Sequence, residues 1–311
     1  MADVPSTTAP TPEGVAGYRA VRDDAGVIDL PRDFVSVAGP DAERFLEGQL
    51  SQDVAAIPSG GSAWALLLQP QGKMVALLRV TRTGGDVGAQ SFVLDTDAGF
   101  GAAVMERLVR FKLRVRCDIE ALDWRCIAVR GPRSHEAVAT GEGLAASADW
   151  PGLNGADLIG DAPVAPAGVL TCPKAAWEAV RIEAGIPAMG RELDERTIPA
   201  EAGVVGPAVS FTKGCYTGQE LVARIDSRGG NVPRHLCGVI MPDGVRAPAG
   251  AALRADGRDV GALTSVAWSP GRGVGVALAY VGRAVTPPAE VELSWEGGSA
   301  LARVEPLPLA T

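Results

Sequence analysis

Apolar residues in the first third of the chain recur with both strand-like and helix-like spacing, which predicts mixed secondary structure. Short apolar runs bounded by turn residues predict strands at residues 34–37, 64–68, 75–80, 91–94 and 113–117. Two stretches instead have the spacing of amphipathic helices: the one that Gly39-Pro40-Asp41 opens, and residues 100–111. This part of the chain is therefore expected to form an α+β unit.

The same mixture continues to about residue 230, and then the pattern changes. A strand at residues 126–129 is followed by a predicted helix after Gly131-Pro132-Arg133, and another helix is expected from Pro173 to Gly185. Residues 151–168, rich in Pro, Gly and Ala, are predicted to be loop. Beyond Arg234, short apolar runs separated by Gly, Pro and Asp predict a small β-barrel or sandwich.

Composition describes a soluble globular protein with no membrane partner. The 311 residues suffice for two or three domains, and 47% hydrophobic with 21% charged residues is ordinary for such proteins. No apolar run is long enough to cross a bilayer. Residues 1–14 lack an apolar core, so they are predicted to be a disordered tail and not a signal peptide, and a cytoplasmic location is expected.

Charge and cysteine usage exclude two further classes of function. The net charge of −8 argues against a protein that binds nucleic acid by coating its phosphates. The cysteines are odd in number and widely spaced, which does not suggest a disulfide framework; they are Cys117, Cys126, Cys172, Cys215 and Cys237. Because there is no Cys-x-x-Cys pair and the only histidines are His135 and His235, no stably bound metal is predicted.

One cysteine stands in a distinctive segment at a predicted junction of loop and helix. The motif consists of Lys213, Gly214, Cys215, Tyr216, Gly218, Gln219 and Glu220, and its helix continues through Arg224. A neighbouring cation favours a thiolate, so Lys213 is expected to act on Cys215 unless it is simply solvated. Gln219 and Glu220 are expected to bond free N–H groups at the helix start. Arg224 is expected either to pair with Glu220 or to face an anionic ligand tail. The plainer alternative is a buried cysteine in a glycine-rich turn.

Residues 211–220, continuing to Asn231, resemble the signature of YgfZ-type folate-binding proteins. These proteins belong to the superfamily of the glycine-cleavage T-protein, an aminomethyltransferase. Residues 181–187, 190–193, 26–30 and 37–41 resemble other segments of that superfamily. The resemblance implies a three-domain α+β cloverleaf around a central folate-binding hollow, with a C-terminal β-barrel. The folate-binding region would span residues 15–230 in two interleaved subdomains, with about 51–118 as the second, and the barrel would span 231–311.

The resemblance also implies a ligand and partners. The ligand would be tetrahydrofolate or a one-carbon derivative, with Glu183 contacting the pterin and with Lys213, Tyr216 and Arg224 as further folate-binding residues. Cys215 would be the functional thiol: a transient iron–sulfur ligand, a redox-active group, or an element that shapes the hollow. The partners would be iron–sulfur client or assembly proteins, and the role would be assembly or repair, with no turnover reaction assigned. Trp64 and Trp177 would either stack on a ring or pack in the core.

Two other functions stay open on the sequence. In the T-protein branch, an acidic residue near the start of the second hairpin strand assists the folate amine. Residues 72–76 hold no Asp or Glu, and nothing obvious replaces this base. A tetrahydrofolate-dependent aminomethyl or one-carbon transferase is therefore the first alternative. A tRNA-modification factor is the second, and the acidic charge balance disfavours it.

Overall fold

Helices are distributed along the whole described chain, and the first begins earlier than expected. The computed structural model describes residues 11–84 and 90–309. Its α-helices are Pro12–Asp23 (α1), Ala42–Gln49 (α2), Gly101–Phe111 (α3), Ser134–Val138 (α4), Lys174–Ala184 (α5), Val205–Ala208 (α6) and Gln219–Ser227 (α7), and a 3₁₀ turn spans Pro199–Ala202. The Thr11 hydroxyl caps α1 by accepting from the Gly14 N–H. The predicted disordered tail is therefore wrong for residues 12–14, and residues 1–10 lie outside the described residues.

Sixteen strands in the described residues form two open sheets and a closed barrel. They are Gly26–Asp29 (β1), Arg32–Gly39 (β2), Ser62–Leu68 (β3), Met74–Arg82 (β4), Gln90–Asp97 (β5), Asp118–Leu122 (β6), Arg125–Arg130 (β7), Glu142–Ser147 (β8), Gly155–Val164 (β9), Leu170–Thr171 (β10), Arg234–Ile240 (β11), Ala252–Ala255 (β12), Arg258–Ser269 (β13), Val274–Gly282 (β14), Ala289–Trp295 (β15) and Gly298–Glu305 (β16). The first sheet has the order β10-β1-β7-β9-β8 and the second β3-β4-β5-β2-β6. The barrel runs β11-β14-β13-β12-β15-β16 and closes through pairing of β16 with β11.

The observed elements confirm the α+β class and the C-terminal β-barrel. The barrel encloses an apolar cluster of its own, separate from the larger core of the two sheets. Strand β2 lies inside the second sheet although it precedes the predicted 51–118 subdomain. The division at residue 230 stays a prediction.

Two predicted segments are wrong. Residues 113–117 are irregular, because Arg114 has a left-handed backbone (φ 56°), and the strand begins only at Asp118. The predicted loop at 151–168 contains β9, whose residues Ala156–Ile159 are almost fully buried against β7 and β8. The Gly and Pro residues on either side of this short apolar run favoured the loop prediction. The run nevertheless forms a strand because it is buried between two neighbouring strands.

Helix α5 crosses the interior of the molecule. Its residues from Ala176 to Ala184 are all buried, and it packs against α1 and strand β13 of the barrel. Gly185 ends the helix with φ 71°, and a Cβ there would stand 2.9 Å from the Leu307 side chain. Because this buried part of α5 has no solvent face, each charged side chain that it carries needs a partner inside the protein.

A buried ionic network joins the two sheets. The fully buried Arg79 guanidinium of β4 donates to Asp95 of β5 (Nε to Oδ1, 2.9 Å) and to Asp157 of β9 (Nη1 to Oδ2, 2.7 Å). Arg130 also donates to Asp157, and Arg32 to Asp95. Burial opposes ionisation of Asp157, but Arg130 and Arg79 outweigh it and hold its pKa far below the usual range. The network fixes the relative position of the sheets.

Candidate functional site

A cavity lies between the two sheets and α5, and we name it the principal cavity for its tryptophan and arginine lining, although a larger cavity lies beside α1. The volume of the principal cavity is about 390 Å³. The β1–β2 connection, strands β3, β4, β5 and β7, helix α5 and the segment after it contribute the wall, which includes Asp29, Leu30, Pro31, Arg32, Trp64, Leu77, Asp97, Ala98, Arg130, Ala148, Trp150, Lys174, Trp177, Glu178, Arg181, Ile186, Pro187, Ala188, Met189 and Arg191. A cavity of this size is typical of a small-molecule site.

Three tryptophans give the cavity aromatic surface. Trp64 and Trp150 meet edge to face, with ring centroids 5.7 Å apart. The Arg130 guanidinium lies 5.3 Å from the Trp177 ring, and Arg32 lies 5.7 Å from the Trp64 ring. Trp64 and Trp177 therefore pack in the core and also line the cavity. Planar ligands have rings to stack against here.

The central charged group of the cavity is Glu178. Its side chain is 3% exposed and accepts two hydrogen bonds from each of two arginines, Arg181 and Arg191. Burial raises the cost of ionising this carboxyl, but the two guanidiniums more than offset it and lower its pKa to about 2. Glu178 is therefore a carboxylate at every physiological pH.

Another carboxylate at the cavity belongs to strand β5. Strand β4 contributes Leu77 to the wall, and the sequence of this strand holds no acidic residue. Asp97, at the end of β5, lines the cavity with its side chain 40% exposed. Its Oδ1 accepts from Arg32 (3.0 Å), and its Oδ2 accepts from the Met189 N–H (2.9 Å). Asp97 is therefore an acidic side chain at the cavity, although residues 72–76 hold none.

Glu183 lies elsewhere. It is the residue that the resemblance assigns to the pterin, but it is 3% exposed and accepts hydrogen bonds from the hydroxyls of Tyr18 (2.9 Å) and Ser269. It lines a different, polar cavity of about 720 Å³ between α1 and the β13–β14 turn, with Arg22 and Arg272 about 4 Å away. On an α-helix, five residues correspond to a rotation of about 140°. Glu178 and Glu183 therefore point to different sides of α5.

Cys215 is the exposed cysteine of the protein. The other four thiols are buried, and burial raises the pKa of Cys237 to about 11. The loop before α7 also exposes Phe211, at 53%. In the described ranges 11–84 and 90–309, the wall of the principal cavity includes neither Cys215 nor Lys213, Tyr216 or Arg224. The motif therefore presents its thiol to solvent and not to that cavity.

Lys213 anchors the loop. Its ammonium donates to the carbonyl oxygens of Glu47, Leu50 and Gln52 at 2.8–2.9 Å, and it lies 3.0 Å from the Glu47 carboxylate. Its side chain is 1% exposed. Burial lowers the pKa of Lys213, and Glu47 opposes that shift. The alternative that Lys213 is solvated is therefore wrong. Its action on the Cys215 thiol stays a prediction, and we expect that action to be small because the N–H donors of Lys213 are used at the end of α2.

Replacing Lys213 with methionine is expected to lower the free energy of unfolding by about 1–3 kcal/mol, because buried carbonyls at the end of α2 lose a charged donor. The rate at which iodoacetamide alkylates Cys215 is expected to stay the same. Urea unfolding and the alkylation rate measure the two effects. Slower alkylation with unchanged stability would show instead that Lys213 activates the thiol.

The rest of the motif behaves partly as expected. Gly218 precedes α7 with φ 85°, and a Cβ there would stand 2.6 Å from the Gln69 carbonyl oxygen, so glycine is required. The Gln219 side chain accepts from the Tyr216 N–H (3.1 Å), which confirms the predicted brace. Gly214 has open space where a Cβ would be. Burial raises the pKa of Tyr216 to about 12. The predicted roles of Lys213, Tyr216 and Arg224 in ligand binding, and of Glu220 at the helix start, stay predictions.

Sequence reasoning missed the residues that dominate the cavity. Glu178 and Arg181 stand three apart on α5, a spacing typical of a helical ion pair, and this was the available signal. Arg191 and Asp97 carried no comparable local signal. His135 was assigned no partner, but its Nε2 lies 2.9 Å from the Asp149 carboxylate on the surface. In the part of the chain that is described, no group of three His, Cys, Asp or Glu side chains is arranged to hold a metal ion, and no helix has the length and apolarity to cross a membrane.

Two protein-family models and known relatives match this sequence. The sequence model of the GCVT N-terminal domain matches residues 12–150, and that of the glycine cleavage T-protein C-terminal barrel domain matches residues 234–310. An uncharacterized protein of Haemophilus influenzae is 30% identical over 209 residues, 64% of this chain and 67% of that protein. A mitochondrial protein of Neurospora crassa named as a homologue of the iron–sulfur cluster assembly factor IBA57 is 29% identical over 227 residues, 66% of this chain and 51% of that protein.

The fold also matches a solved structure. The aminomethyltransferase T of the glycine cleavage system from Bartonella henselae superposes with a TM-score of 0.81 at 22% identity, covering 96% of this chain and 89% of that one. At this identity the likeness concerns the fold alone. It confirms the predicted fold, an α+β protein of the T-protein type with a C-terminal β-barrel.

Proposed function

The chain belongs to the glycine cleavage T-protein family, and on that premise we propose that it is a folate-binding accessory protein for iron–sulfur cluster assembly or repair. Tetrahydrofolate or a one-carbon derivative would occupy the principal cavity, and Cys215 would act on a client protein. The named role of the Neurospora crassa relative and the cysteine motif support the second half of this proposal. Assignment to the YgfZ-type branch and a cytoplasmic location belong to the same proposal.

The observation that carries the proposal is the pairing of an ionised Glu178 with tryptophan surface in one cavity. The pterin of a folate has a flat edge with adjacent N–H donors, which a carboxylate accepts, and aromatic rings that stack on tryptophan. Lys174 at the exposed rim suits the carboxylates of the glutamate moiety. When bound, the folate supplies a carrier for one-carbon units. We assign Glu178 to the pterin in preference to Glu183 because Glu178 lines the cavity that holds the tryptophans, whereas Glu183 lines a different one.

The exposed thiol supports the client-directed role. A single cysteine does not hold an iron–sulfur cluster, which usually takes four protein ligands. Cys215 would therefore act by donating one sulfur ligand, or by thiol exchange, while the client or a small thiol supplies the rest. Its position on an anchored loop, outside the folate cavity, leaves it accessible to another protein.

One experiment tests the role of the thiol independently of folate binding in the cavity. In cells that lack the gene, activities of iron–sulfur enzymes under oxidative stress are expected to fall, and wild-type protein is expected to restore them. Cys215→Ala is expected to restore less than about a tenth of that gain while it binds tetrahydrofolate normally and melts like wild type. Cys237→Ala, a change at a buried thiol, is the matched control. Full rescue by Cys215→Ala would refute the role of the thiol.

One observation favours the transferase alternative. Asp97 supplies a partly exposed carboxylate at the cavity, on the strand next to β4. A base in this position would accept the proton from the attacking folate amine as the nitrogen–carbon bond forms and the bond between that carbon and the donor breaks, its electron pair leaving with the donor. Transfer of a one-carbon unit from an aminomethylated donor to tetrahydrofolate by the purified protein, and its loss when Asp97 is changed to Asn, would establish this reaction.

A further inference from the structure

The hydrogen-bonding capacity of Glu178 is already filled. A carboxylate has about four lone-pair sites. Arg181 takes two of them, with Nε 3.3 Å from Oε1 and Nη2 3.1 Å from Oε2. Arg191 takes the other two, with Nη1 2.7 Å from Oε2 and Nη2 3.0 Å from Oε1. A ligand that binds this carboxylate must therefore displace one of the two guanidiniums.

The two arginines differ in how firmly they are held. Arg181 is 4% exposed and also donates to the Ile186 carbonyl oxygen, to Ser265 and to Glu192. The Arg191 side chain is 34% exposed, and the one other hydrogen bond of its guanidinium in the described residues is a 3.4 Å contact with the Ser265 hydroxyl. Its side chain has solvent to move into. Arg191 is the one that can leave at the smaller cost.

We infer that Arg191 is a displaceable latch that occupies the ligand's place on Glu178. Its guanidinium presents two parallel N–H donors on an N–C–N fork, so the ligand that replaces it must carry the same fork on a planar ring. A 2-amino-4-oxopterin edge has this chemistry. The inference rests on the proposed function and adds to it the part of the ligand that is recognised and the residue that competes with it. Arg191 acts here as a positioning residue that lowers affinity and tunes selectivity.

The latch predicts a gain of affinity on mutation. Arg191→Met removes the competing donor fork, so tetrahydrofolate is expected to bind roughly tenfold more tightly, because the ligand no longer has to displace a residue from its site. Pterin-6-carboxylate, which keeps the fork, is expected to gain similarly. The fragment p-aminobenzoylglutamate, which lacks the fork, is expected to bind as it does to wild type. Isothermal titration calorimetry on the full chain measures all three dissociation constants.

Two control variants define the interpretation. Arg196→Met removes an 80% exposed arginine that pairs with Asp194 and does not contact Glu178, and it is expected to leave all affinities unchanged. Arg191→Lys keeps the charge without the fork and is expected to give an intermediate gain. Unchanged or weaker tetrahydrofolate binding by Arg191→Met overturns the latch, and so does an equal gain for p-aminobenzoylglutamate, which would indicate mere widening of the cavity. Absence of tetrahydrofolate binding by wild type and variant alike overturns the proposed function, and the latch with it.

Discussion

Tetrahydrofolate is expected to bind Glu178→Gln roughly 10- to 100-fold more weakly than wild type, and Glu183→Gln within about twofold of it. The two glutamates lie on the same helix and are buried to the same extent, at 2% and 3% exposure. They differ in their surroundings: Glu178 lines the principal cavity, whereas Glu183 is held by Tyr18 and Ser269 beside a different one.

The expected loss follows from the charge of the accepting group. An amide offers one acceptor oxygen and no negative charge, and hydrogen bonds to a charged group contribute about 1.5–3 kcal/mol. Because the pKa of Glu178 is about 2, the wild-type carboxylate stays ionised between pH 5 and 8. Protonation of Glu178 therefore does not contribute to the difference in tetrahydrofolate affinity between roughly pH 5 and 8.

Calorimetric titrations of the three proteins at one temperature provide the comparison. Thermal melts and near-ultraviolet circular dichroism establish that each variant is folded under those conditions, since Glu178 also neutralises Arg181 and Arg191. Strong loss in Glu183→Gln with little change in Glu178→Gln would reverse the assignment. It would move the pterin to the cavity between α1 and the barrel.

Arg79→Met is expected to lower the free energy of unfolding by about 3–5 kcal/mol, the largest effect on stability expected of any single change discussed here. Arg79 is fully buried and bridges Asp95 and Asp157, which are themselves almost fully buried. Methionine fills much of the volume but leaves two carboxylates short of a partner. Arg32 and Arg130 retain part of the compensation, because each still donates to one of them.

Urea unfolding followed by circular dichroism measures this loss, and Arg116→Met provides the control. Arg116 is also an arginine bonded to an aspartate, Asp41, but it is 76% exposed, so its removal is expected to cost no more than about 1 kcal/mol. Equal losses in both variants would show that burial of the network contributes nothing beyond a surface ion pair. If Arg79→Met is too unstable to purify, Asp157→Asn tests the same network.

Much of the fold follows from local patterns that survive in the tertiary structure. The strands predicted at residues 64–68 and 75–80 form a hairpin, and the helix predicted at 100–111 is α3. Period-2 and 3.6-residue spacing report which side of an element is buried, and they do so without knowledge of its neighbours. The predictions that were wrong, at β9 and at Arg114, fell where the apolar run was short or its spacing ambiguous.

The sequence by itself determined the thiol motif, the glycine at the start of α7, the brace from Gln219 and the apolar stripes of the main elements, because each depends on residues within a few positions of one another. Only the tertiary structure determined which residues and cavities these features contact. Lys213 finds its acceptor on Glu47, 166 residues earlier. The resemblance pointed to Glu183, but the packing of α5 in the interior places Glu178, and not Glu183, at the principal cavity. Periodicity gives the angle between two side chains, but contacts between distant segments determine which of them meets a ligand.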